Sequence, residues 1–381
     1  MRITNVNIFD GRQVRAERSV DLADGSISAL AATGAQSDTF DGEDGWLIPG
    51  LIDCHVHMEL DPADKTPPAP DAPRDLDAMA ERAGGMVRAG ITTARDLGGG
   101  AWAEIELRDR IAAGTVIGPR LLCAGQPITS VGGHCHFWGG EATTVEEGEA
   151  VFARQLEHGA DLLKIMATGG RFTPDSKPSK AQFPLAFIQA MVAAADAAGV
   201  HTAAHCHGSE GIDFAARAGI TTIEHCSWVG DSGKWASDFR PDVVAEMARR
   251  GTWVSPTINA GWQRFLDSGS DMVKTLRGCF DAMRAAGVRL VASTDAGIPG
   301  VWHKDLPKAV GVFARIAGLT NAEAITSATA DAASAIGLGG TTGAIASGLS
   351  ADLLLLPHNP LDDLAALTEP AAVWARGERV L

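Results

Sequence analysis

Residues 185–226 read LAFIQAMVAAADAAGVHTAAHCHGSEGIDFAARAGITTIEHC, and the pattern changes three times along the way. Leu185–Gly199 is an Ala-rich amphipathic run closed by glycine. Residues 201–206 form a short β-type run with a histidine at 205. Gly211–Gly219 is helical again, and 221–226 is a second β-type run carrying a histidine at 225. Glycine just past the last periodic residue is a helix stop. Strand, helix and strand joined by short turns is the pattern of a parallel βαβ unit.

The same alternation continues outward in both directions. Eight β-rich runs occur, at 47–57, 90–98, 120–125, 162–169, 201–206, 221–226, 253–257 and 289–295. Between them lie helical stretches that include Asp75–Ala89, Thr144–His158, Asp242–Gly251 and Asp271–Gly287. Eight repeats predict an α/β fold of the (β/α)8 TIM-barrel type. An open doubly wound sheet is the alternative, but no GxGxxG follows any strand. The ends read differently. Residues 1–46 carry short alternating runs (Ile3–Ile8, Ser19–Leu22, Ser26–Ala31), and 344–381 repeat that style at Asp352–Leu356 and Ala372–Leu381. Neither segment is large enough to fold alone. The expected organisation is a β-sandwich from 1–48 plus 344–381, beside a barrel at 49–343.

With 381 residues, 45% of them hydrophobic, the chain can bury one large core and a small accessory unit. Its 32 Lys and Arg stand against 47 Asp and Glu, a net charge of -15 that repels phosphate backbones and anionic lipid. A small-molecule substrate is the expected partner, with homo-oligomerisation as a generic expectation. No basic segment followed by an apolar one opens the chain, and no apolar run reaches the roughly 18 residues of a spanning helix. Six cysteines without CxxC pairing suit a reducing cytoplasm. Cys54, Cys206 and Cys226 each adjoin a candidate ligand histidine. Neighbouring strand residues face opposite ways, so these thiols are expected to point at the surrounding helices.

His55 and His57 close the first run, and positions i and i+2 of a strand share a face. Neutral imidazoles suit a borderline divalent metal such as zinc. An HxH pair alone carries little weight, but strand ends converge on one face of a barrel. There Lys164, His205, His225 and Asp295 stand at the ends of the fourth, fifth, sixth and eighth runs. A charged lysine beside two dications would be repelled. Either it pairs with Asp161 or Glu224, or its amine reacts with CO2 to give an anionic carbamate. The charge balance favours the carbamate, because Asp295 alone would leave two dications strongly positive.

Taken together, Pro49–His57, Ile91–Asp96, Asp161–Gly170, Ala203–Gly211, Thr222–His225, Ser293–Gly297 and Gly348–Asn359 resemble the amidohydrolase superfamily, in its imidazolonepropionase-like and Xaa-Pro dipeptidase-like branch. The resemblance implies that His55, His57 and Asp295 bind the more buried ion. It further implies that His205 and His225 bind the second, and that carboxylated Lys164 bridges the two with a hydroxide. Asp295 would take the proton of that nucleophile and pass it to the leaving group. By the same resemblance His134, in the loop after the third run, reaches the substrate, and His207 contacts substrate where relatives carry His or Tyr. His207 in a supporting hydrogen-bond network is the alternative.

Arg171 is a candidate for a substrate carboxylate, with a solvated loop arginine as the other reading. Trp138, Trp302 and His303 either line a pocket or pack. His136 is left as a loop histidine, and His158, His201 and His358 are read as structural or surface residues. The function implied is hydrolysis of a peptide-like or N-acyl amide in a small substrate, with Asp295, His134 and His207 as the catalytic group. A cyclic amidase or a lactonase could share the site. A deaminase would use one ion and no bridging lysine, and a non-enzymatic assembly protein would be expected to have lost ligands.

Overall fold

The predicted helices form in this computed structural model, and their ends lie where the capping residues stand. Asp75 accepts from the Ala78 N–H ahead of Leu76–Arg88, and Thr144 and Glu147 make a reciprocal capping box ahead of Val145–Glu157. Gly199 and Gly251, at φ of 70° and 72°, close Leu185–Ala198 and Pro241–Arg250. Ser209–Ala218 begins earlier than the Gly211 expected, because the preceding strand runs straight into it. The structure describes residues 1–31, 37–69 and 72–381.

Each of the eight β-rich runs contains a strand: Leu51–Val56, Ile91–Asp96, Arg120–Cys123, Leu162–Met166, His201–Gly208, Thr222–Val229, Trp253–Ser255 and Arg289–Leu290. They pair in parallel and in chain order, the first three in one sheet and the last five in another. Isolated parallel bridges, Ile128 with Ile165 and Val56 with Ala296, lie at the two gaps between these sheets. The eighth run extends as a ladder only to Leu290. Beyond it the N–H groups of Val291, Ala292, Thr294 and Asp295 donate to Val254, Ser327, the Asp53 carboxylate and His55 respectively, so no single neighbour is followed.

The run at 47–57 is two strands. Trp46–Pro49 pairs antiparallel with Leu353–Leu356, and the chain then enters the parallel sheet at Leu51. Gly50 makes the change of direction possible, since a Cβ there would lie 2.0 Å from Thr92 Oγ1. Trp46–Pro49 thereby joins a six-stranded sheet with Asn7–Phe9, Val14–Arg15, Leu353–Leu356, Ala372–Ala375 and Glu378–Arg379. A second sheet comprises Arg2–Thr4, Val20–Ala23, Ser26–Leu30 and Thr39–Asp41. A separate apolar core that includes Ile3, Ile8, Val20, Leu47, Leu353 and Trp374 is built from both sheets. All six cysteines are free and buried, and Cys54 packs with Ala332, Ala333 and Ile336 on the helix side, as strand alternation requires.

Candidate metal centre

The strand ends carry their side chains into one cavity of about 620 Å3. His55, His57, Lys164, His205, His225 and Asp295 all line it, as do His134 and His207. The five imidazoles at 55, 57, 205, 207 and 225 are buried, and so is Lys164. Strand alternation accounts for the pairs at 55/57 and 205/207. His225 and Asp295 need more, since both have positive φ, 64° and 63°, and Cys226 and Thr257 share that region. Non-glycine residues are uncommon there, and such strain collects where function holds a side chain in place.

Each imidazole has one ring nitrogen engaged by the protein. His55 Nδ1 contacts Glu224 Oε2 at 3.0 Å, and His57 Nδ1 contacts the Gly98 carbonyl at 2.9 Å. His225 Nδ1 meets Thr257 Oγ1 at 2.8 Å, and His207 Nδ1 meets Ser227 Oγ at 2.9 Å. His205 is turned the other way, its Nε2 donating to the Gly169 carbonyl at 3.1 Å. The carboxylate and carbonyl acceptors fix the tautomers of His55, His57 and His205, leaving Nε2 of the first two and Nδ1 of His205 with a lone pair. Burial disfavours the charged form of His55, His205, His207 and His225. It lowers His55 to about 4, with Lys164 contributing, and His207 to about 4, with Arg171 contributing. His205 and His225 are also driven well below the ordinary imidazole value.

The donor set fits divalent metal. Ligand atoms of His55, His225 and Asp295 lie within 4.8 Å of one another, and so do those of His205, His207 and His225. Asp295 Oδ1 is 3.3 Å from His55 Nε2 and 3.4 Å from His57 Nε2. Burial raises the Asp295 carboxyl, but the imidazoles of His55, His57 and His225 hold it well below the usual carboxylate range.

Lys164 is buried, and burial lowers its pKa against the pull of Glu224 and Asp295. Neither acid proposed as its partner is within 4.0 Å. Asp161 is held by Arg108 at 2.7 Å, while Glu224 is held by Arg95 at 2.9 Å and by His55. The sequence reading missed this support. Arg95 also donates to the Cys54 carbonyl and to Thr222 Oγ1, whose hydroxyl donates to Glu224 at 2.6 Å. Asp53 is similarly placed, accepting from the Thr294 hydroxyl and from the His55 N–H. The available signal was a charged residue within an apolar strand, Arg95 and Glu224 alike.

Other candidates divide. His134 is in the cavity, its ring 4.4 Å from that of His205 and its Nδ1 on Thr173 Oγ1. Arg171 and Trp138 also line it. His303 is buried behind the site and donates to the His57 carbonyl at 3.0 Å. Trp302 is 46% exposed and is not part of the cavity wall, and neither is His136. His158 stacks on Trp102 away from the site.

A model of the Amidohydrolase family matches residues 46–380. Ochratoxinase of Aspergillus niger is 28% identical over 371 residues, covering 87% of this chain and 75% of that protein. Imidazolonepropionase of Acidiphilium cryptum is 26% identical over 363 residues, with coverage of 89% and 86%. A crystal structure of a Xaa-Pro dipeptidase with bound methionine in its active site superimposes with a TM-score of 0.81 at 28% identity, covering 99% of this chain and 98% of that one. Eight parallel strands alternating with helices, seen beside this neighbour, make the fold α/β of the TIM-barrel-like kind. The chain belongs to the amidohydrolase family.

Proposed function

We propose that this chain holds two divalent ions, zinc at both positions, and hydrolyses a peptide-like or N-acyl amide in a small substrate. It is a hydrolase acting on carbon–nitrogen bonds, consistent with its family. The observation that carries the reading is the convergence of five buried imidazoles, each with one nitrogen already engaged, on Asp295 and Lys164 in a single cavity.

In this reading His55, His57 and Asp295 would hold one ion and His205 and His225 the other, with carboxylated Lys164 as a further anionic donor to them. The absence of an acid partner for Lys164 among the described residues supports the carbamate, which replaces a disfavoured buried cation with an anionic donor. When bound, the ions supply a water acidified enough to act as nucleophile near neutral pH and polarise the scissile carbonyl. Asp295, whose carboxyl is held well below the usual range, would serve as the proton acceptor and then donor to the leaving nitrogen. His134 and His207 are neutral imidazoles whose Nδ1 atoms are engaged by Thr173 and Ser227, so their Nε2 atoms are left to orient the substrate.

The single bridges at the two gaps between the parallel sheets support a closed (β/α)8 barrel at 49–343. The shared apolar core supports 1–48 and 344–381 as one β-sandwich beside it. Among the described residues no helix is long and apolar enough to cross a membrane. Six free buried cysteines suit a cytoplasmic setting, and the charge of -15 disfavours nucleic acid as a partner. The test is turnover of dipeptide and N-acyl amino acid libraries by the metal-loaded chain, lost on chelation and restored by added zinc. Cleavage of esters or phosphotriesters with no amide turned over would overturn the substrate assignment.

A further inference from the structure

Beyond the ligand set, the cavity has a second, differently built end. Trp235, Trp262, Phe265 and Met272 form one wall of it, all only partly buried. The rings make a continuous series. Trp235 meets the His207 ring edge-on at 5.4 Å, Trp262 meets Trp235 at 5.2 Å, and Phe265 meets Trp262 at 5.4 Å. The wall therefore starts beside the histidine cluster and leads outward from it. Aromatic faces left open inside a cavity are surface that a flat apolar group can cover, and edge-to-face contacts add to the area term.

Two guanidinium groups stand over this wall. Arg171 lies 5.6 Å from the Trp235 ring centre and Arg264 lies 4.7 Å from that of Phe265. Both line the cavity and are exposed, and neither has a carboxylate partner within 4.0 Å among the described residues. That is unusual in a chain whose acids outnumber its Lys and Arg by 47 to 32. Most other arginines of this surface are paired, for example Arg110 with Glu106 and Arg249 with Glu246. Arg171 gives one donor to the Gly233 carbonyl at 3.4 Å, and the remaining edge donors of a ring-stacked arginine match a carboxylate.

We propose that the substrate is an aromatic amide bearing a free acid, its ring packed on Trp235, Trp262 and Phe265 and its carboxylate taken by Arg171 and Arg264. The inference rests on the hydrolase reading for the reaction, but the subsite can be tested without turnover. The probes are 3-phenylpropionate, butyrate and 3-phenylpropanamide, titrated calorimetrically into the zinc-loaded chain. Replacing the ring by a methyl group (butyrate) should weaken binding by about tenfold or more, as expected for losing one buried aromatic group. Trp262→Ala should reduce that discrimination and Trp262→Phe should restore most of it.

Arg171→Ala with Arg264→Ala should weaken 3-phenylpropionate by about tenfold while leaving 3-phenylpropanamide little changed. That contrast separates arginine recognition from capture of the carboxylate by the metals. Equal affinity for 3-phenylpropionate and butyrate, or unchanged affinity after both arginines are removed, would overturn the proposal. Failure of the hydrolase reading looks different: no amide is turned over although the aromatic acid still binds in the arginine-dependent way.

Discussion

Five imidazoles and a lysine share the floor of the cavity, and their protonation decides what it can bind. Burial makes the charged form of His55, His205, His207 and His225 costly, and each of the five has one ring nitrogen engaged. Lys164 has no comparable arrangement: Asp161 and Glu224, the two acids that could have paired with it, are taken by Arg108 and Arg95. In the proposed reading, carboxylation would convert Lys164 to an anionic oxygen donor. Lys164→Ala should therefore cut the metal content below two per chain and remove activity, with partial return of turnover in short-chain carboxylates. Lys164→Arg should give no return, because guanidinium stays cationic and forms no carbamate. Metal analysis together with turnover checks this, and two ions at near-normal rate in Lys164→Ala would return the lysine to a structural role. The cluster of candidate ligands was legible because i, i+2 spacing and strand ends can be read in one dimension. Arg95 and Asp53 were not, because a charged residue in a strand reads the same whichever face it takes.

At the level of elements, two local conflicts stand out. Glu104, in the helix Ala103–Ala112, is fully buried with neither carboxyl oxygen hydrogen-bonded. Burial, then the neighbouring Asp96, raises its pKa well above the ordinary value. The folded state thus keeps a proton that the unfolded chain releases near its ordinary pKa, so stability falls as pH rises above that point, by at most about 1.4 kcal/mol per pH unit. Glu104→Gln should remove this slope. Its unfolding midpoint relative to wild type should climb steadily from pH 5 to pH 8, and a flat difference would disprove the sign. The other conflict is at Gly50, where a Cβ would meet Thr92 Oγ1, a buried hydroxyl without a hydrogen-bond partner. Gly50→Ala should cost about 1–3 kcal/mol, as overpacking does. Adding Thr92→Ala should recover much of the loss, and simple additivity in denaturant unfolding would show the two positions uncoupled. Periodicity located the helices closely because their caps are local signals. It merged 47–57 into one strand because the change of sheet at Gly50 leaves no break in the apolar pattern. The aromatic wall escaped it too, since Trp235 sits in a loop and Trp262 in a single 3-10 turn, both too short for a periodic signal.

For the molecule as a whole, the proposed metal binding would be linked to folding, because candidate ligands from five strands meet only in the native state. Chelation should lower the unfolding midpoint measured by calorimetry. Free zinc at about 100 times its Kd should restore about 2.7 kcal/mol per site. A midpoint indifferent to chelator would mean the cluster is not a metal site. The pairing of Trp46–Pro49 with Leu353–Leu356 carries a consequence in time. Synthesis proceeds at about 5–20 residues per second, so the earlier strand waits about 15–60 s for its partner to leave the ribosome. During that interval the apolar edge of residues 46–49 has no native cover, while His55 and His57 have already emerged. The histidines that open the metal site are thus made early, and the strand that anchors their segment is among the last parts of the chain to be made.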